Sequence, residues 1–209
     1  MITQTEFTKM LTGAEIAALR ARYPWAKLDD GKTSRHARAA WNLRKELKLN
    51  FPGIKFRVRS DSYSMGDSIH IDWTLGPTSN QVQAVSRKYQ YGWFDGMEDL
   101  YNFDHSPESQ AVGEILGQSK YVFEQRKIPG DLIDRVGKDL CGLQRVEYQG
   151  PYTMHLLGNM DGEPVEQHAR ALLWETPFAP GAEYAGVRYM TPEEHQHSPV
   201  GVFAVVLFK

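Results

Sequence analysis

Residues 43–103 read LRKELKLNFPGIKFRVRSDSYSMGDSIHIDWTLGPTSNQVQAVSRKYQYGWFDGMEDLYNF. Ala40, Leu43 and Leu47 share one face of a 3.6-residue period, and Arg38, Arg44, Lys45 and Lys48 fall mostly off it. The block therefore opens on a basic amphipathic helix, capped by Thr33 or Ser34 and ended by Asn50-Phe51-Pro52-Gly53, since proline cannot continue a helix and glycine permits a left-handed turn. Ile54, Phe56 and Val58 then alternate with Lys55, Arg57 and Arg59, and Ile69, Ile71 and Trp73 alternate with His70, Asp72 and Thr74. Period 2 marks two half-buried strands. The stretch between them, Ser60 to Ser68, is too long for a two-residue hairpin and predicts an exposed, hydroxyl-rich loop. Gly76-Pro77-Thr78 closes the second strand, Thr78 and Gln81 have capping-box spacing, and Val82, Val85 and Tyr89 form the apolar face of a second helix. Helix, strand, strand, helix is an αββα unit with an antiparallel sheet, of the α+β class.

Outward from this block, the first segment predicts two short helices. Thr12-Gly13-Ala14-Glu15 is a capping box, Ile16 and Leu19 make a short stripe, Pro24 stops the helix, and Asp29-Asp30-Gly31 is a turn. On the other side, Tyr89 to Phe103 is an aromatic-acidic loop that packs over a core. Lys120 to Glu124 is a third strand, and Pro129-Gly130-Asp131 starts a helix through Leu140. The remainder reads as β-rich. Tyr152 to Leu157 pairs with Ala169 to Trp174 across Asn159-Met160-Asp161-Gly162, Pro177 to Gly186 is a surface loop, and Val200 to Phe208 is a terminal strand. The expected division is an α+β domain over residues 1–142 and a β-rich region over residues 143–209, packed separately or into the same domain.

The 209 residues, 41% of them hydrophobic, suffice for a core without disulfides or metals. The single cysteine, Cys141, excludes a disulfide framework within the chain and fits a reducing compartment. The N-terminus lacks the basic and apolar regions of a signal peptide, and no apolar run is long enough to span a bilayer, so the expected location is cytoplasmic. Net charge is −2 but uneven: ten Lys/Arg lie between Lys27 and Arg59, and six acids with no Lys or Arg lie from Asp95 to Glu114. A basic segment can track nucleic acid or steer an acidic partner, or simply solvate one face.

No phosphate-binding glycine signature occurs. His195 and His197, with Glu193, Glu194 and His168 nearby, fall short of a zinc pattern. Cys141 reads as a small buried hydrophobe, and would need a base such as His155 or His168 to act as a nucleophile. Asp95 to Asp99 reads as an acidic turn in which Asp95 or Asp99 accepts backbone N–H bonds. No catalytic residue, metal or cofactor is assigned. The candidate binding residues are Arg44, Lys48, Lys55, Arg57 and Arg59 for phosphates or acidic groups, with Tyr63, Tyr91, Trp93 and Phe94 as stacking or anchoring rings, and Trp41 as a further ring. Pairing of Arg57 with Asp72 across the two strands is the structural alternative.

The string FPGIKFRVRSDSYSMGDSIHIDW, then GPT, FDGMEDLYNF and KYVFEQR, resembles the large polyvalent protein-associated domain 29 family over about residues 38–126. The resemblance implies an α+β domain of phages, plasmids and conjugative elements, without an established catalytic role. It points to an accessory protein that acts by binding, as an inhibitor of a host defence protein. The alternatives are a nucleic-acid-binding module that protects incoming DNA, and an enzyme acting on a nucleotide or a defence component.

Overall fold

The computed structural model describes residues 12–151, 153, 164–196 and 204–209. Helices and short sheets alternate along them in a mixed α+β arrangement, as expected. The chain divides into two compact units: residues 1–72 with 80–125, and residues 73–79 with 126–209.

In the first unit, helix α1 (Gly13–Arg22) starts at the expected capping box: the Glu15 N–H donates to the Thr12 hydroxyl, and the Thr12 N–H donates to Glu15 Oε2 at 2.7 Å. It is the one helix described before the basic helix α2 (Arg35–Asn50). The N-cap of α2 is Ser34, and its buried positions include Ala39, Ala40, Leu43 and Leu47. Arg38, expected off the apolar face, is buried as well.

Strands β1 (Arg57–Tyr63) and β2 (Gly66–Thr74) pair antiparallel, with Val58 opposite Ile71 and Tyr63 opposite Gly66. Only Ser64 and Met65 remain for the turn, so the expected Ser60–Ser68 loop is instead the outer half of a hairpin. Ladder bonds are made by the backbone, and near an exposed hairpin end neither face demands apolar side chains; polarity there hid the strand. The predicted start at Ile54 is too early, since β1 begins at Arg57. Strand β5 (Tyr121–Lys127) completes the sheet in the order β1-β2-β5. Val58, Ile69, Ile71 and Val122 are buried, which sets the inner face of the sheet.

Helix α3 (Ser79–Ser86) runs into a 3₁₀ turn, Arg87–Tyr89. The expected aromatic loop after it is a second hairpin, β3 (Gly92–Asp95) with β4 (Leu100–Phe103). Its acidic turn works as expected: Asp95 Oδ1 accepts from the Met97 N–H at 2.9 Å. Helix α4 (Pro107–Leu116), capped by the Ser106 hydroxyl, leads back to β5.

In the second unit, helix α5 (Gly130–Gln144) begins where Pro129-Gly130 predicted. Ala169 to Trp174 is not a strand but part of helix α6 (Val165–Glu175). Val165, His168, Ala169, Leu172 and Leu173 are its buried positions, an i, i+3, i+4, i+7, i+8 stripe that the short apolar run concealed. The proposed partner strand, 152–157, lies mostly outside the described residues. Strands β6 (Tyr184–Tyr189) and β7 (Ala204–Phe208) pair antiparallel, with helix α7 (Pro192–Gln196) between them in sequence. The expected Pro177–Gly186 loop thus loses its end to β6, and Phe178 within it is buried. Among the described residues the C-terminal region is mixed rather than β-rich. Its core joins α5, α6, Phe178, Ala204 and Val206.

One side chain organises this unit. Arg126 is buried and donates Nε to the Leu75 carbonyl at 3.2 Å, Nη1 to those of Leu173 and Trp174, and Nη2 to those of Gly76 and Thr176. Two of these acceptors lie in the last turn of α6, where carbonyls lack helical partners and carry partial negative charge. Burial lowers the Arg126 guanidinium to about 10.

Candidate binding surface

Alternation sends Arg57, Arg59, Asp61 and Tyr63 of β1 to the outer face of the three-stranded sheet, with His70 and Asp72 of β2 and Tyr121 and Phe123 of β5. The second hairpin continues this face. Gly92 and Phe94 share a side with Tyr101 and Phe103, by register. A parallel bridge between Gln90 and Ser119, and the Tyr91 N–H donating to the Ser119 carbonyl at 3.2 Å, hold the hairpin beside the start of β5.

The result is a continuous run of rings. His70 stacks on Phe123 with centroids 5.1 Å apart, and Phe123 on Tyr121 at 5.8 Å. Tyr121 meets Tyr101 edge-on at 5.3 Å, and Tyr101 meets Phe103 edge-on at 5.1 Å. Phe103 stacks on Tyr91 at 5.9 Å and on His105 at 6.0 Å. Offset and edge-on pairs such as these contribute roughly 0.5–1.5 kcal/mol each beyond burial, so the run is rigid without a ligand. Gly92 makes room for it: a Cβ there would stand 2.2 Å from the Asn102 carbonyl oxygen and 2.6 Å from the Tyr101 ring.

Phe103 and Phe123 are about half exposed, at 51% and 49%. Cations lie over the half-buried rings: Lys120 Nζ is 5.0 Å from the Tyr101 centroid and 5.5 Å from that of Tyr121, and the Arg35 guanidinium is 5.6 Å from Tyr91. Burial, then the neighbouring Tyr91 and Tyr121, pushes the Tyr101 phenol above its ordinary value, and burial, then Asp67, does the same to Tyr91. Both therefore stay neutral. Charge on the face is nearly balanced, since Asp61 and Asp72 answer Arg57 and Arg59. Arg57 stands opposite Asp72 in register, but Arg59 makes the ion pair with it, diagonally, at 3.0 Å.

The expected binding residues do not form one site. Arg59 and Tyr63 lie on the outer face with Arg57, and Tyr91 lies within the run of rings. Phe94 shares the ring side of the hairpin, whereas Trp93 alternates to the other side. Arg44 projects from α2 and donates Nη2 to the Val58 carbonyl at 2.5 Å, a bond that ties helix to strand. Lys48 and Lys55 are exposed, the first on α2 and the second ahead of β1. The rings missed from the candidate set were Tyr101, Phe103, Tyr121, Phe123, His70 and His105. The aromatic i, i+2 pair of Tyr121 and Phe123 on a predicted strand was the available signal.

Two serine–histidine–aspartate groupings lie nearby. Ser68 Oγ at 3.1 Å and Asp61 Oδ2 at 3.8 Å both meet His70 at Nε2, so the imidazole cannot relay a proton between its two nitrogens. His36 Nε2 meets Ser34 Oγ at 3.3 Å, but its Nδ1 is 3.6 Å from Asp67 Oδ2, beyond hydrogen-bond reach. Asp67 instead accepts from the Ser119 hydroxyl at 2.8 Å and the Lys120 N–H at 2.6 Å, which anchors β2 to the start of β5.

Cys141 is buried on α5, and burial pushes its thiol up, away from the reactive thiolate. His155, His197 and the side chain of His195 lie outside the described residues. Among the described residues no three His, Cys, Asp or Glu side chains converge as metal ligands, and no helix is long and apolar enough to cross a membrane.

Residues 34–129 match the family model of large polyvalent protein associated domain 29. The matched segment runs from the N-cap of α2 to the N-cap of α5 and contains every ring of the run described above. No curated protein and no solved structure matches the chain.

Proposed function

We propose that this chain is a non-enzymatic accessory protein of a mobile genetic element, and that its ring-lined face binds a protein of the host's defence machinery in the cytoplasm. The match to a polyvalent-protein-associated domain supports the setting. The observation that carries the binding role is the run of seven rings in stacked or edge-on contact, with half-exposed Phe103 and Phe123 at its surface. Large rigid rings give contact area at little entropic cost and are the usual anchors of protein interfaces. Near-balanced charge around them suits a protein surface better than a polyanion.

The test is plasmid establishment in a host with an intact defence system and in one without it. The intact chain should raise establishment only in the defended host, and the double change Phe103→Ala/Phe123→Ala should abolish the gain. Equal protection by the double variant would refute the role of this face.

A second reading is single-stranded nucleic-acid binding. Lys120 over two rings, with Arg57 and Arg59 elsewhere on the same sheet face, is the arrangement that favours it, because rings stack bases and cations follow phosphates. It requires affinity that falls steeply with salt. Binding unchanged by Lys55→Glu, Arg57→Glu and Arg59→Glu together would exclude it.

A further inference from the structure

The two buried arginines of this protein are treated very differently. Every N–H of Arg126 in the second unit meets a main-chain carbonyl. Arg38 in the first unit is 3% exposed, yet Nε and Nη1 make no hydrogen bond, and Nη2 reaches the Gly113 carbonyl only at 3.4 Å. The Asp29 carboxylate has Oδ2 3.5 Å from Nη1, close enough for attraction but without a hydrogen bond. A buried guanidinium left this short of partners is costly, and a structural role does not explain it.

Arg38 lines an open cleft of about 550 Å³ together with Arg20, Arg35, Gln110, Asp29 and Glu114. Three guanidiniums thus meet two carboxylates. The first turn of α2, which supplies Arg35 and Arg38, carries no acidic residue, and the Ser34 hydroxyl makes no capping bond to it. The partial positive charge of that helix end adds to the cleft. Arg35 is fixed there: its Nη2 donates to Gln118 Oε1 at 2.8 Å, and a Cβ on Gly113 would come within 2.2 Å of the same nitrogen.

We propose that this cleft binds a phosphoryl group through Arg20, Arg35 and Arg38, displacing the Asp29 carboxylate from Arg38. Asp29 has the sign of charge and the partner that a phosphate oxygen would have. Its side chain is 65% exposed, and Oδ1 accepts from the Gly31 N–H at 2.9 Å, so Oδ2 can give up Arg38 while that bond is kept. Guanidinium forks match the several oxygens of a dianionic tetrahedron, and a single carboxylate leaves most of their donors unused. The cleft shares Arg35 with the ring-lined face, where its guanidinium lies 5.6 Å from the Tyr91 centroid, but phosphate binding does not depend on a partner at that face.

The test is calorimetric titration of the full chain with sodium phosphate at matched ionic strength, then with AMP and with a thymidine oligonucleotide lacking a terminal phosphate. Saturable phosphate binding is expected. Arg20→Gln should weaken it about tenfold, Arg38→Gln should abolish it, and Asp29→Asn should tighten it by a similar factor. Binding of phosphate and AMP but not the oligonucleotide assigns a monoester ligand. Binding of the oligonucleotide with the same Arg20 dependence assigns a nucleic-acid backbone. If Arg38→Gln does not fold, Arg20→Gln and Asp29→Asn carry the test. No saturable binding of any of the three ligands, or binding that neither change alters, overturns the proposal.

Discussion

The Tyr89 hydroxyl donates to Glu46 Oε2 at 2.7 Å inside the first unit. Glu46 Oε1 takes Lys88 Nζ at 2.5 Å, so a carboxylate on α2 is met from both sides by the 3₁₀ turn that follows α3. Burial, then the Glu46 charge, holds the Tyr89 phenol far above its ordinary value, and it remains a donor throughout the accessible pH range. Tyr89→Phe removes the donor and leaves a buried carboxylate oxygen without it. The expected cost is about 1–3 kcal/mol, read as a lower urea midpoint with an unchanged slope.

Arg126→Met should be far more damaging. It takes a donor from five buried or half-buried carbonyls, of which that of Gly76 keeps the Phe178 N–H, and a loss of about 3–5 kcal/mol is expected. Arg126→Lys restores the charge but at most three N–H groups without the planar fork, so it should recover only part. Hydrogen exchange checks the location: protection should fall in α6 and β6 well before it falls in α2.

Gly92→Ala places a methyl group against the Asn102 carbonyl and the Tyr101 ring. The β3–β4 hairpin must shift, and the stacks of Tyr101 and Phe103 go with it. Near-ultraviolet circular dichroism should lose aromatic signal while the far-ultraviolet spectrum changes little. An unaltered near-ultraviolet spectrum would show that the rings are not held by this close approach.

Glu124 provides a pH signature. Burial raises its carboxyl above the ordinary 4.5, although the Ser86 hydroxyl donates to it. A raised folded-state value means the folded chain keeps a proton that the unfolded chain has released, so stability falls as pH rises upward from about 4.5. Glu124→Gln keeps an acceptor for Ser86 and removes the ionisation. It should be more stable than the parent at pH 7, with the advantage shrinking toward pH 4. A variant whose stability runs parallel to the parent across that range would contradict this account.

The sequence made α2, the β1–β2 pair, β5 and α5 legible, because each has a clear period and a punctuated end. Val58, Ile69, Ile71 and Leu47 were placed correctly from alternation or helical spacing alone. Polar strand ends were not legible: Ser60 to Tyr63 look like loop residues, and only the ladder shows otherwise. The helix α6 was misread because the run from Ala169 to Trp174 is too short to distinguish period 2 from 3.6 without Val165. The ring-lined face escaped for a different reason. Its members come from β2, β5, Tyr91, β4 and His105, and no local pattern joins them. Arg38 escaped because a basic residue on a helix is ordinarily assigned to water.

The Arg126 cluster also bears on how freely this protein can vary. Each of its five bonds ends on the main chain, and the guanidinium reads no side chain at Leu75, Trp174 or Thr176. Codons at those positions can drift, within packing limits, while the second unit stays tied. The constraint falls on the codon for arginine at 126, where even lysine supplies too few donors, and on that for Phe178, whose ring lies 5.1 Å from the guanidinium carbon.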